Sequence, residues 1–160
     1  MTFKSVSVMS RERAENTLPA PGAVCISITD RHRSDACLQG FSATLRLKFD
    51  DIECEGGNYL PLSSTQASEI LEFVHTHRER DIRVHCEFGY SRSVAVGVFI
   101  SAWLKRPLSA DITHPNAWVI GKLCERGLRM GLRRRDWHLV KVCLLGPLPF
   151  ARKNLVQPGP

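Results

Sequence analysis

Ile82-Arg83-Val84-His85-Cys86-Glu87-Phe88-Gly89-Tyr90-Ser91-Arg92-Ser93-Val94 is the stretch on which the fold turns. Ile82–His85 alternates apolar and polar residues, the pattern of a short strand. From Arg92 the chain enters an apolar segment that predicts a helix as far as Leu104, stopped by Pro107. A strand, a tight loop and a helix in that order converge backbone N–H groups and a helix N-terminus on one point, a setting for an anion. Gly89 allows the loop to turn where a side chain could obstruct it. Arg92 offers a planar fork that grips two oxygens of a phosphoryl group, which a lysine point charge does not match. The same positive surroundings favour Cys86 as a thiolate.

Outward from this loop, short β-like runs occur at Phe3–Val8, Val24–Ile28 and Ala43–Phe49. In the last, Leu45, Leu47 and Phe49 alternate with Thr44, Arg46 and Lys48, the period of a half-exposed strand. Ser63 and Gln66 have the spacing of a capping box, and Ala67, Ile70, Leu71 and Val74 follow at helical spacing. A further helix is expected after Pro115, with Trp118, Val119, Leu123 and Cys124 on one face, and another over Arg134 to Leu145. The order predicts an α/β fold: a central, mostly parallel sheet flanked by helices. Residues 1–146 read as one catalytic domain and 147–160 as a proline-rich tail.

The pattern His85-Cys86-x-x-Gly89-x-x-Arg92-Ser93 resembles the signature loop of the cysteine-based protein-tyrosine phosphatases, in their compact dual-specificity-like branch of bacterial or viral type. Five fixed positions match by chance on the order of once in ten million start sites on background usage. Rhodanese-like loops also place a cysteine and an arginine after a strand, but Gly89 and the Arg92-Ser93 ending fit the phosphatases better. The resemblance implies hydrolysis of phosphomonoesters, with Cys86 as nucleophile and residues 87–92 (Glu87, Phe88, Gly89, Tyr90, Ser91 and Arg92) around the phosphate. It implies that Ser93 hydrogen-bonds the departing thiolate and that His85 orients the loop through a backbone or thiol contact. The general acid implied is an aspartate after an upstream strand. Asp51 in Phe49-Asp50-Asp51 takes that place, with Asp50 as the competitor. Glu53 and Glu55 read as solvated acids, and Glu87 is expected to face water. Tyr90 is bulky for such a loop and could stack on an aromatic substrate. No metal or cofactor is implied.

The net charge of +6 favours anionic partners. The resemblance implies a phosphorylated protein as substrate, phosphotyrosine above all. Arg126, Arg129, Arg133, Arg134 and Arg135 cluster before Trp137 and His138, so the segment Arg126–Arg135 is a candidate contact for nucleic acid or another polyanion. An RNA 5′-phosphatase or a phosphoinositide phosphatase of the same superfamily is the alternative. A module that only binds phosphoproteins is a further alternative, which loss of Cys86 or Arg92 would have favoured; both are present. Six scattered cysteines without a Cys-x-x-Cys pair read as reduced thiols. No apolar run reaches the roughly 18 residues of a membrane span and no secretory leader is visible, so the expected location is cytoplasmic.

Overall fold

The computed structural model describes residues 4–133, apart from Asp111 and Thr113. The helix expected over Arg134–Leu145, the tail 147–160, Cys143 and the residues Phe3, Arg134, Arg135, Trp137 and His138 lie outside the described residues.

Five strands form one sheet: β1 (Val6–Ser10), β2 (Val24–Thr29), β3 (Ala43–Lys48), β4 (Ile82–Cys86) and β5 (Leu108–Ser109). Their order is β3-β2-β4-β1-β5 and every pairing is parallel. The sheet expected to be mostly parallel is therefore wholly so among the described residues. β2 is buried at all six positions, as a central strand covered on both faces must be. β3 lies at the sheet edge and keeps the alternation read from sequence, with Leu47 buried and Arg46 and Lys48 exposed. β1 is displaced from the expected Phe3–Val8, because Met9 and Ser10 pair with His85 and Cys86.

Successive strand residues point to opposite faces. Val6, Val8, Ile26, Ile28, Val84 and Cys86 belong to the core beneath the helices α2 (Ser64–Thr76), α3 (Arg92–Leu104) and α4 (Ala117–Arg129). Cys25, Ser27 and His85 line the other face, where the short helix α1 (Arg11–Asn16) packs on β1 and β4. The capping box of α2 is complete: Gln66 N–H donates to Ser63 Oγ, and Ser63 N–H donates to Gln66 Oε1, both at 3.1 Å. On α4 the buried residues are Val119, Ile120, Leu123 and Gly127, with Trp118 and Cys124 half-buried beside them. α3 is apolar all round and lies close to β1; a Cβ at Gly97 would stand 2.5 Å from Val8 Cγ2.

Because the strands are parallel, Ser10, Thr29, Lys48 and Cys86 all end at one edge of the sheet. The loops that leave this edge carry Arg11, Asp30, Asp50, Asp51 and the 86–92 turn, and ligands of open parallel sheets bind at such an edge.

Candidate active site

Cys86 closes β4 and is 2% exposed. Its sulfur lies 3.0 Å from Ser93 Oγ and accepts a hydrogen bond from Gly89 N–H at 3.3 Å. Gly89 has φ of +80° and lies against the end of β1; a Cβ there would stand 2.5 Å from Ser10 N and 2.6 Å from the Met9 carbonyl carbon. Only glycine satisfies both the backbone conformation and the space.

Arg92 opens α3 and is also 2% exposed. Its Nη1 donates to the Phe49 carbonyl at 2.6 Å and meets Asp30 Oδ1 at 2.7 Å. Nε has no hydrogen-bond partner among the described residues, and Asp51 Oδ2 is 3.9 Å from it. One end of the guanidinium is thus anchored, while the enclosed Nε donor is left unused among the described residues. Asp30 was missed in the sequence, although it directly follows β2 at the loop-bearing edge.

The two adjacent aspartates do different things. Asp51 Oδ1 accepts hydrogen bonds from Ser91 Oγ at 2.7 Å and Asn116 Nδ2 at 2.8 Å. Ser91 belongs to the 86–92 loop, so this contact joins the two loops directly. Asn116 is buried and also caps α4 through Val119 N–H, a role that its place before Ala117 could have signalled. Asp50 turns away from the loop. Its Oδ2 accepts from Arg31 Nε and from Leu60 N–H, both at 2.9 Å. Burial pushes the Asp50 carboxyl up, but the Leu60 hydrogen bond and the Arg31 guanidinium outweigh it and hold it below the usual carboxylate range.

One expectation about a side chain needs correction. Glu87 does not face water: its side chain is 10% exposed and lies 3.5 Å from Arg11 Nη1. A loop that folds back on β1 carries this side chain toward α1 instead. Glu53 is exposed, as expected, and accepts from Ala117 N–H at 3.0 Å beside the α4 N-terminus. His85 lies against the backbone of Cys86, where the loop begins, and its Nε2 meets Ser27 Oγ at 2.8 Å on the sheet's other face. Phe88 and Tyr90 are exposed, with ring centroids 6.0 Å apart. Two clefts flank Asp51. One of about 380 Å³ is lined by Tyr90, Ser91, His114 and Asn116, and one of about 340 Å³ by Asp30, Arg33, Asp50 and Tyr59. Cys86 lines neither and lies under its loop.

Burial pushes the His85 imidazole down to about 4. The unfolded chain binds a proton near pH 6.5 that the folded chain refuses until about pH 4, so His85 favours folding above pH 6.5 and that contribution is lost between these values. The loss amounts to about 3 kcal/mol in all. Urea midpoints at pH 7 and pH 4.5 should fall less in His85→Asn than in the wild type. Equal falls in both proteins would show that His85 carries no such linkage.

The arginine cluster is partly engaged within the fold. Arg126 Nε donates to Ser68 Oγ of α2 at 2.9 Å, and Arg129 pairs with Glu125 at 2.9 Å. Arg133 is exposed.

With the site in place, the fold can be assigned: it is that of the compact cysteine-based phosphatases of dual-specificity type. Human DUSP28 superimposes with a TM-score of 0.52 at 17% identity, over 81% of this chain and 98% of that one. The human tyrosine phosphatase-like serine/threonine/tyrosine-interacting protein gives 0.44 at 18% identity, over 68% and 78%. Tk-PTP in its active form gives 0.41 at 18% identity, over 89% and 92%. At such identities the likeness is one of fold. No protein-family model matches the sequence, and no curated protein matches it. Among the described residues no helix is long and apolar enough to cross a membrane.

Proposed function

We propose that this protein hydrolyses phosphate monoesters through a cysteinyl-phosphate intermediate and that its substrate is a phosphorylated protein, phosphotyrosine above all. The observation that carries the reading is the sulfur of Cys86 between Ser93 Oγ and Gly89 N–H, in a loop closed by a buried, anchored Arg92. In the first step the Cys86 sulfur attacks phosphorus, and the bond to the leaving oxygen breaks. The loop amides and Arg92 stabilise the equatorial oxygens, and Asp51 gives its proton to the leaving oxygen. In the second step water attacks phosphorus and Asp51 takes its proton. The sulfur–phosphorus bond breaks, and Ser93 donates to the departing thiolate.

The choice of Asp51 over Asp50 is supported by their contacts. Asp51 is tied to Ser91 of the loop, whereas Asp50 is held ionised by Arg31 and Leu60 N–H and is unsuited to donate a proton. The exposed rings of Phe88 and Tyr90 suit an aryl ester at the mouth of the loop. Arg126 and Arg129 have partners within the fold, which weakens the case for a nucleic-acid track along α4.

The test is a panel of phosphotyrosine peptide, phosphoserine peptide, phosphoinositide and 5′-triphosphorylated RNA at matched salt. Phosphotyrosine peptide should be turned over fastest, and a clear preference for the RNA or the lipid would sink the protein-substrate reading. Asp51→Asn should lower kcat by about 10²-fold on poor leaving groups and remove the limb of the pH profile set by the acid. Asp50→Asn should retain that limb; its loss there would transfer the role to Asp50.

A further inference from the structure

Glu87 is an unusual neighbour for a nucleophilic sulfur. It follows Cys86 directly in the chain, and a carboxylate within the loop opposes both a thiolate and an incoming phosphate dianion. Water screens it little, because the side chain is 10% exposed and Oε1 is enclosed with no hydrogen-bond partner among the described residues. Its cationic neighbour is Arg11, the first residue of α1, whose Nη1 is 3.5 Å from Oε1. That separation exceeds a normal hydrogen bond, so the interaction works through charge.

Arg11 is itself fixed from several sides. Nε donates to Glu15 Oε1 at 2.9 Å, Nη1 to the Ser34 carbonyl at 3.0 Å, and Nη2 to the Asp35 carbonyl at 3.1 Å and Ser34 Oγ at 3.3 Å. Its backbone N–H donates to the Glu87 carbonyl at 3.3 Å. Glu15 also accepts from Cys37 N–H at 3.0 Å, so Arg11 is not its sole support.

On the phosphatase reading given above, we infer that Arg11 is a positioning residue for the phosphate loop: it fixes Glu87 and offsets its charge, so that a loop carrying an acid beside its nucleophile still accepts a dianion. It touches neither the sulfur nor the phosphate site and acts through Glu87. The other ionisable groups around the loop are Arg92 with Asp30 and Asp51 against it, Glu15 on Arg11, and His85, which burial keeps neutral above about pH 4.

The test uses the full chain as wild type, Arg11→Met, Glu87→Gln and the double variant. Two readouts are taken: the pH dependence of iodoacetamide alkylation at Cys86, followed by mass spectrometry of its peptide because Cys37 and Cys54 are exposed, and the steady-state kinetics of p-nitrophenyl phosphate. Arg11→Met should raise the alkylation midpoint by about one pH unit and KM about ten-fold, with a smaller effect on kcat. Glu87→Gln alone should lower the midpoint, and the double variant should return both readouts close to wild type. An unshifted midpoint in Arg11→Met, or a double variant as impaired as Arg11→Met, would overturn the inference. Should Arg11→Met fail to fold, Arg11→Lys keeps the charge without the fork, and a midpoint raised in that variant would overturn it as well. If the wild type does not hydrolyse the aryl phosphate, the phosphatase reading fails, while the alkylation midpoints still decide the role of Arg11.

Discussion

Cys86→Ser is expected to abolish turnover of an aryl phosphate, by on the order of 10⁵-fold or more, while the fold and the affinity for inorganic phosphate change little. The exchange swaps a sulfur for a smaller oxygen that the same neighbours can satisfy, since Ser93 Oγ and Gly89 N–H lie 3.0 and 3.3 Å from the present sulfur. Packing is thus nearly kept. What is lost is nucleophilicity: a serine hydroxyl is a far weaker attacking group than the sulfur it replaces. Among the described residues the hydrogen-bond partners of the sulfur are Ser93 Oγ and Gly89 N–H, and neither is a base that could compensate. Steady-state assays, inorganic phosphate titration and a thermal melt on both proteins would check the three parts together. Residual turnover above about one per cent of wild type would remove Cys86 from the nucleophile's role, whatever its geometry.

That residue was legible in the sequence because its partners are close along the chain. Cys86, Gly89, Arg92 and Ser93 span eight positions, and the strand and helix that hold them carry their own apolar patterns. The same holds for α2, whose capping box and 3.6-residue period are local signals. The two missed elements give weak local signals. α1 is a six-residue turn of Arg11-Glu12-Arg13-Ala14-Glu15-Asn16 with one buried residue, and β5 is two residues long. What surrounds the site was hidden for a different reason. Asp30 with Arg92, Arg11 with Glu87, and Asn116 with Asp51 are each more than sixty residues apart in sequence. The parallel sheet brings them together by ending β1, β2 and β4 at one edge, and no local period encodes which side chains then meet. Glu87 shows the cost of reading neighbours in isolation. An acid beside the nucleophile was expected in water, yet the fold-back of the loop on β1 delivers it to Arg11.

The other large effect is expected at Arg92. Arg92→Lys should reduce kcat/KM by about 10³-fold, although the charge is retained. On the proposed mechanism the guanidinium performs two tasks at once: Nη1 is anchored by the Phe49 carbonyl and Asp30, and Nε keeps a donor that has no hydrogen-bond partner among the described residues. A lysine ammonium has a single donor centre. It can stay with Asp30 and the carbonyl, or reach a phosphate, but cannot span both. Asp30→Asn separates the two tasks, since it leaves the fork intact and weakens one anchor. Its expected effect is smaller, on the order of ten-fold in kcat/KM, because the Phe49 carbonyl still accepts from Nη1. The kinetics of p-nitrophenyl phosphate with the two variants side by side would read this ordering. If Arg92→Lys proved no worse than Asp30→Asn, charge alone would account for Arg92, and the anchored fork would have no part in holding the transferring phosphoryl group.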